Sequence, residues 1–261
     1  MFHTLIKNLS ARWKSYRYRF VPWIALNFKN RTIRGVPKGS EDKVISDKQV
    51  EDTLKTLFTK INGVSSKPEI VLGVMRDVLG FTVEKAKSQV GGTGVYVTNG
   101  AVPKGTVLAM YPGTVYFTYE PILLQSIGNP FIFRCLDGLL IDGNDKSISK
   151  LIYRSCSKRE RSGPYMTSDM SWLSSDGLLN PLALGQYVNN QSKKFPANVV
   201  YQEYDVTDDF PLHLMKYIPN IRYSSTHHNT ETRFIRTVIL VSTRDIKAGE
   251  EIFSTYFTMV Y

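Results

Sequence analysis

The chain has 261 residues, 33 Lys plus Arg against 23 Asp plus Glu, and only two cysteines. Apolar residues make up 42% and charged residues 21%, an ordinary globular composition that excludes wholesale disorder. Cys135 and Cys156 alone build neither a disulfide scaffold nor a cysteine-rich zinc cluster, and no apolar run approaches the ~18 residues of a membrane-crossing helix. The length suits one large domain or two small ones, and an intracellular, reducing compartment is expected.

The net charge of +10 belongs to one end of the chain. Residues 1–40 hold Lys7, Arg12, Lys14, Arg17, Arg19, Lys29, Arg31, Arg34 and Lys38 and no acid, which leaves +1 for the other 221 residues. Leu5, Ile6, Leu9, Trp13, Tyr16 and Phe20 recur at helical steps, with Lys7, Lys14 and Arg17 between them, until Pro22 interrupts the pattern. Three readings stay open for this basic segment. It is a mitochondrial presequence, a surface that contacts nucleic acid or anionic lipid, or a solvated tail. Without the presequence, the expected location is nucleus or cytoplasm.

Residues 41–90 form a predicted helical region. Ser46 with Gln49 spells a capping box ahead of Val50, Leu54, Leu57, Phe58 and Ile61 on one face. Ser66 with Glu69 repeats the signal before Ile70, Val71, Val74, Met75 and Val78. Both stripes predict core packing.

From Gly91 the texture changes to short β-like runs punctuated by Gly and Pro. The predicted strands are 95–98, 106–111, 131–136, 139–142, 198–204 and 235–241. Asp137-Gly138 predicts a two-residue hairpin turn between the third and fourth. No helical pattern alternates with these strands, so a doubly wound parallel sheet is not expected. The fold class is therefore mainly β, or α+β once the helical start is included.

Several segments carry chemistry by their order. Gly91-Gly92-Thr93-Gly94-Val95 opens the β region, but a strand rather than a helix follows it, so the dinucleotide and phosphate-loop readings fail. Next come Val102-Pro103-Lys104-Gly105, the stretch from Val107 to Tyr111-Pro112-Gly113, and the hairpin from Phe131 to Gly143. Gly185-Gln186-Tyr187-Val188-Asn189-Asn190 follows, with Asn198 eight residues past Asn190. Last is Arg244-Asp245-Ile246-Lys247-Ala248-Gly249-Glu250-Glu251-Ile252-Phe253-Ser254-Thr255-Tyr256. His227-His228 reads as part of a polar loop, Cys135 as a packed thiol, and Asp142 as a structural acid; no metal site is expected.

This succession, over residues 91–258, resembles the SET-domain methyltransferase family. The resemblance implies a SET domain of small β-sheets over residues 91–261, with inserts at 144–184 and 205–232. It also implies a C-terminal pseudoknot, in which the Tyr256 segment threads beside Asn189-Asn190. S-adenosyl-L-methionine would then be the cofactor, with no metal, and a lysine side chain of a protein the methyl acceptor. Gly92, Thr93 and Gly94 would let the backbone approach the cofactor. The Asn189 side chain would contact its polar groups, and Asn190 would hold the adenine through its backbone. Tyr256 would border the cofactor and act as the catalytic tyrosine that aligns the reacting amine. Tyr111 and Tyr201 would wall the lysine channel; ordinary strand packing is the alternative for both, and for Tyr201 it accounts for the residue equally well. The chain departs from the family at Gln186, Asn190, Gln191-Ser192 and Thr255. Those departures keep a second reading in view, a catalytically inactive module that serves as a protein-interaction scaffold. Oligomeric state and substrate identity are not expressed in the sequence.

Overall fold

The computed structural model describes residues 33–36, 43–159, 161–162, 165–174, 177–224, 234–255 and 257–260. Residues 1–32, His227-His228 and Tyr256 lie outside the described residues. A short strand, β1 (Ile33–Val36), precedes two helices, α1 (Asp47–Ile61) and α2 (Pro68–Leu79). In α1 the capping box is complete: Ser46 Oγ accepts from Gln49 N–H, and the Gln49 side chain accepts from Ser46 N–H. The corresponding Ser66–Glu69 signal does not form a cap. Pro68 opens α2, with Lys67 at its N-cap and no side-chain cap bond. Gly80, in the left-handed conformation, closes α2.

The helical reading of 41–90 holds only to Leu79, because β2 (Phe81–Lys87) is a strand. It pairs antiparallel with β3 (Thr93–Val102), across the boundary expected at Gly91. Beyond β3 come β4 (Val107–Tyr111), β5 (Gly113–Tyr116), the one-turn helix α3 (Leu123–Ser126), β6 (Ile132–Arg134) and β7 (Leu140–Asp142). The segment expected as an insert at 144–184 contains a helix, α4 (Ser147–Arg159), followed by β8 (Arg161–Ser162) and β9 (Tyr165–Met166). The chain then runs through β10 (Asn189–Asn190), β11 (Val199–Val206), β12 (Asn220–Arg222), β13 (Ile235–Ser242), β14 (Ile246–Lys247), β15 (Phe253–Ser254) and β16 (Phe257–Val260).

These strands make small sheets. β11, β13 and β4 form an antiparallel sheet in that order, β12-β5-β7-β6 a second sheet, and β14-β3-β2 a third. The predicted hairpin between β6 and β7 is present, but its turn is longer than two residues. Cys135 N–H bonds to Leu139 O at 2.8 Å, with Gly138 at φ +91° on the approach, so Leu136, Asp137 and Gly138 form a three-residue loop.

One core joins helices and sheets. Leu54, Leu57 and Phe58 of α1 and Met75 of α2 are fully buried in the same cluster as Val97, Leu108, Ile239 and Leu240. Gln202 of β11 ties the chain ahead of α1 to this sheet. Its Oε1 accepts from Val44 and Ile45 N–H (2.7 and 3.1 Å), and its Nε2 donates to Ile45 O at 2.8 Å. A smaller cluster of Tyr153, Cys156, Trp172, Leu173, Ala183 and Ile221 gives α4 its own packing. No helix among the described residues is long and apolar enough to cross a membrane.

Two pairings connect parts of the chain far apart in sequence. β10 lies parallel to β15, with Asn189 opposite Phe253 and Asn190 opposite Ser254. This is the crossing expected of the C-terminal pseudoknot. β1 lies parallel to β16, with Ile33 opposite Phe257 and Val36 opposite Val260. Part of the basic segment is thus paired with the strand that follows Tyr256.

Candidate functional site

The glycine turn is the tip of the β2–β3 hairpin. Ser88 N–H bonds to Gly92 O at 2.9 Å, and Gly91 and Gly92 take φ +106° and +72°. A Cβ at either position would meet nothing within 4 Å, so glycine is required there by backbone conformation rather than by space. At Gly94 the reason is reversed. Its Cβ would lie 2.2 Å from Glu251 Oε1 and 3.0 Å from the Ser88 Cβ. The bare face of Gly94 is therefore filled by a carboxylate of the C-terminal segment.

Asn189 closes the other side of this corner. Its Nδ2 donates to Ser88 Oγ and to Thr93 O, both at 3.0 Å, and lies 3.3 Å from Glu251 Oε1. These bonds consume the amide nitrogen and leave Oδ1 as the atom not engaged by them. Gly92, Thr93, Gly94 and Asn189, chosen from separate motifs, are thus brought together at one place, with Asn190 beside them in β10. Asn198 fastens the crossing. Its side-chain Nδ2 donates to Glu251 O, and its Oδ1 accepts from Phe253 N–H, each at 2.9 Å. Its backbone N–H reaches Phe253 O and its carbonyl accepts from Thr243 N–H, also at 2.9 Å. Gln191 N–H adds a bond to Ser254 O at 2.8 Å. Tyr256 follows β15 by two residues in sequence, outside the described residues.

Glu251 is the residue that sequence reasoning passed over. It is 3% exposed, and every group facing it is a donor. Ser88 O–H reaches Oε1, while Gln89 N–H (3.0 Å) and Tyr96 O–H (2.8 Å) reach Oε2. Burial and the neighbouring Glu251 carboxylate together raise the Tyr96 pKa above the usual phenol value. The Gly-Glu-Glu run was a visible signal, but nothing in it distinguishes Glu250, which pairs with exposed Arg244 at 2.7 Å.

Tyr111 and Tyr201 are also brought together. In register, Tyr201 stands opposite Leu240 and Tyr111 opposite Val238, two residues apart on β13, which places both on one face of the sheet. Their ring centroids are 6.2 Å apart, edge to face. Phe133, not singled out from sequence, lies between them at 5.4 Å from Tyr111 and 4.9 Å from Tyr201. Tyr111 O–H donates to Phe131 O at 2.8 Å. The result is a wall of three aromatic rings, Tyr111 and Tyr201 buried and Phe133 half-buried.

Whether the corner suits a polar, cationic cofactor is judged from its unsatisfied atoms. Asn189 Oδ1 is an acceptor at the rim of the glycine turn. Ser254 Oγ, next to Asn190 in register, is buried without a hydrogen-bond partner, and so is Gln186 Oε1. The Asn189 acceptor and the Ser254 hydroxyl, on the two strands of the crossing, fit a ligand that brings its own donors.

Other clusters have internal explanations. The Cys135 sulfur and the Asp137 and Glu203 carboxylates lie within 4.8 Å of one another. Arg236 supplies the cation there, pairing with Asp137 at 3.0 Å, Asp205 at 2.6 Å and also Glu203. Burial pushes the Cys135 thiol well above its ordinary pKa, away from the thiolate that a soft metal needs. Asp142 is held by Asn129 Nδ2 at 2.7 Å, with burial raising its pKa, as a structural acid would be.

No family model matches the chain. SET domain-containing protein 9 of Homo sapiens is 48% identical, with 98% of each chain covered. The protein of the same name from Pongo abelii is 47% identical over 88% of this chain and 97% of its own. Among solved structures, a Plasmodium falciparum chain described as a candidate histone methyltransferase aligns at 10% identity. That alignment has a TM-score of 0.32 and covers 67% of this chain and 96% of the other. At near-complete coverage and almost half identity, the two curated relatives settle the matter: the chain belongs to the SET domain-containing protein 9 family.

Proposed function

We propose that the protein is an S-adenosyl-L-methionine-dependent methyltransferase whose acceptor is a lysine side chain of another protein. The observation that carries this reading is the crossing of β10 with β15. It gathers the Gly92–Gly94 turn, Asn189 and Asn190 around the strand that leads to Tyr256. The cofactor, when bound, supplies an activated methyl on a sulfonium.

In this reading Asn189 Oδ1 accepts from the cofactor's ammonium, and the backbone of Asn190 holds the adenine. Tyr256 orients the reacting amine. In-line transfer to nitrogen depends on alignment more than on acid or base strength, so a fixed phenol is a fitting tool. A lysine ammonium has a reference pKa of about 10.4 and must lose a proton before it can attack. The Tyr111–Phe133–Tyr201 wall favours that loss, because an apolar surround penalises the charged form.

The basic segment is read separately. Nucleic acid, anionic lipid and a targeting machinery remain the partners that its charge fits. β1 lies within it, so any cleavage that keeps the β1–β16 pairing falls before Ile33. A reporter fused to residues 1–40 tests targeting: an organelle signal supports the presequence, and diffuse signal opposes it.

The reaction is tested with labelled cofactor and protein extracts, comparing wild type with Tyr256→Phe. The expected result is retained cofactor affinity with transfer lowered on the order of 10²-fold. An unchanged rate removes Tyr256 from the mechanism. Absence of cofactor binding by folded protein replaces the enzyme with the scaffold reading.

A further inference from the structure

We propose that Glu251 is a positioning residue that, together with the Thr93 carbonyl, fixes which end of the Asn189 amide faces the ligand. This rests on the reading of Asn189 as a cofactor contact. A carboxylate offers acceptors only, and here it meets Ser88 O–H on Oε1 and Gln89 N–H and Tyr96 O–H on Oε2. Ser88 has a single hydroxyl proton, and Glu251 takes it. Toward Asn189, 3.0 Å away, Ser88 Oγ can then only accept, as it also does from Val90 N–H at 3.1 Å. Asn189 must therefore present its NH2 group to Ser88. The Thr93 carbonyl, at 3.0 Å from Nδ2, asks for the same orientation. With the NH2 end turned to this wall, Oδ1 is delivered to the open side as an acceptor. A donor-bearing ligand group, such as the ammonium of a methionine moiety, is what an acceptor there would select.

The direction of the Glu251–Ser88–Asn189 hydrogen bonds is set at Glu251, and a specific variant sets it against the Thr93 carbonyl. In Glu251→Gln the backbone N–H of Gln89 is an obligatory donor, so the new amide keeps its oxygen there and turns its NH2 toward Ser88. Ser88 then accepts from residue 251 and directs its proton at Asn189, which asks for Oδ1 inward while the Thr93 carbonyl still asks for NH2, so the Asn189 amide no longer has one orientation that satisfies all its neighbours. The shape of the site is unchanged while the fixed orientation of its acceptor is lost.

The test uses the full-length protein. Calorimetric titration with S-adenosyl-L-methionine is expected to show affinity about 10-fold weaker for Glu251→Gln, the size of one charge-assisted hydrogen bond. Thermal unfolding is expected to stay close to wild type. In Ser88→Ala, Asn189 keeps its Thr93 and Glu251 acceptors, so affinity should fall by less than about 3-fold. NMR gives an independent readout. In the wild type the Asn189 side-chain NH2 protons should show nuclear Overhauser contacts to Ser88 and Thr93, and these contacts should weaken in Glu251→Gln. Wild-type affinity in a folded Glu251→Gln protein overturns the proposal, as does absence of those contacts in the wild type. The wild-type spectrum decides the orientation even if Glu251→Gln does not fold. It also decides it if the wild type binds no cofactor, an outcome that would overturn the functional reading alone.

Discussion

Asn198→Ala should remove two of the hydrogen bonds that hold the crossing together, and its cost follows from the groups it abandons. Asn198 is 2% exposed, and its side chain is a hydrogen-bond partner for both Glu251 O and Phe253 N–H, each at 2.9 Å. A buried backbone group left without a partner costs about 1–3 kcal/mol, so two of them cost roughly 2–6 kcal/mol. The backbone bonds from Asn198 N–H to Phe253 O and from Thr243 N–H to Asn198 O survive, because they do not involve the side chain. The crossing should thus loosen without dissolving. Urea denaturation should show a lower midpoint with an unchanged slope, since the surface exposed on unfolding is the same. A loss under about 1 kcal/mol at constant slope would refute the view that this amide fastens the C-terminal segment.

Three further outcomes follow from the geometry. Gly94→Ala drives a Cβ into Glu251, which four donors hold in place, and should cost about 1–3 kcal/mol; the double variant with Glu251→Ala should recover part of that loss in a denaturation cycle. Tyr111→Phe should cost no more than about 1.5 kcal/mol, because Gly143 N–H still donates to Phe131 O at 2.8 Å. Asp169 is fully buried, its Oδ1 accepts from Ser171 N–H at 2.7 Å and its Oδ2 has no partner; burial pushes its pKa up to about 7 from the ordinary 3.8. The native state therefore holds this proton more tightly than the unfolded chain, so stability falls as pH rises from about 4 to about 7, by at most about 4 kcal/mol. Asp169→Asn should match wild type at pH 4 and exceed it at pH 8 in urea denaturation; an equal pH dependence in both proteins would contradict the assignment.

What sequence could and could not reveal has physical causes. The first helix was legible because Ser46, Gln49 and a clean apolar face act within a few turns of one another. The crossing was legible only through ordered motifs, since Asn189 and Phe253 carry no local sign of being neighbours. β2 was hidden because its buried half, Phe81 to Val83, is followed by four exposed residues without alternation. The helix in the 144–184 insert escaped notice because much of its buried face is Ser149, Ser157 and Cys156, which do not make an apolar stripe. The Ser66–Glu69 signal failed because Pro68 starts α2 one residue too late for that box. Glu251 was quoted in a motif yet given no role, because its importance comes from lying against Gly94 and Asn189, a tertiary fact. Phe133 was likewise only a strand residue until the sheet register set it between Tyr111 and Tyr201.

Direct calorimetric titration of the folded protein with S-adenosyl-L-methionine, beside Asn189→Ala, probes the central claim that the β10–β15 crossing builds a cofactor pocket. The account predicts saturable binding at one site per chain, weakened at least about 10-fold in the variant while the fold is retained. Titration without saturable binding, or equal affinity in both proteins, would contradict it.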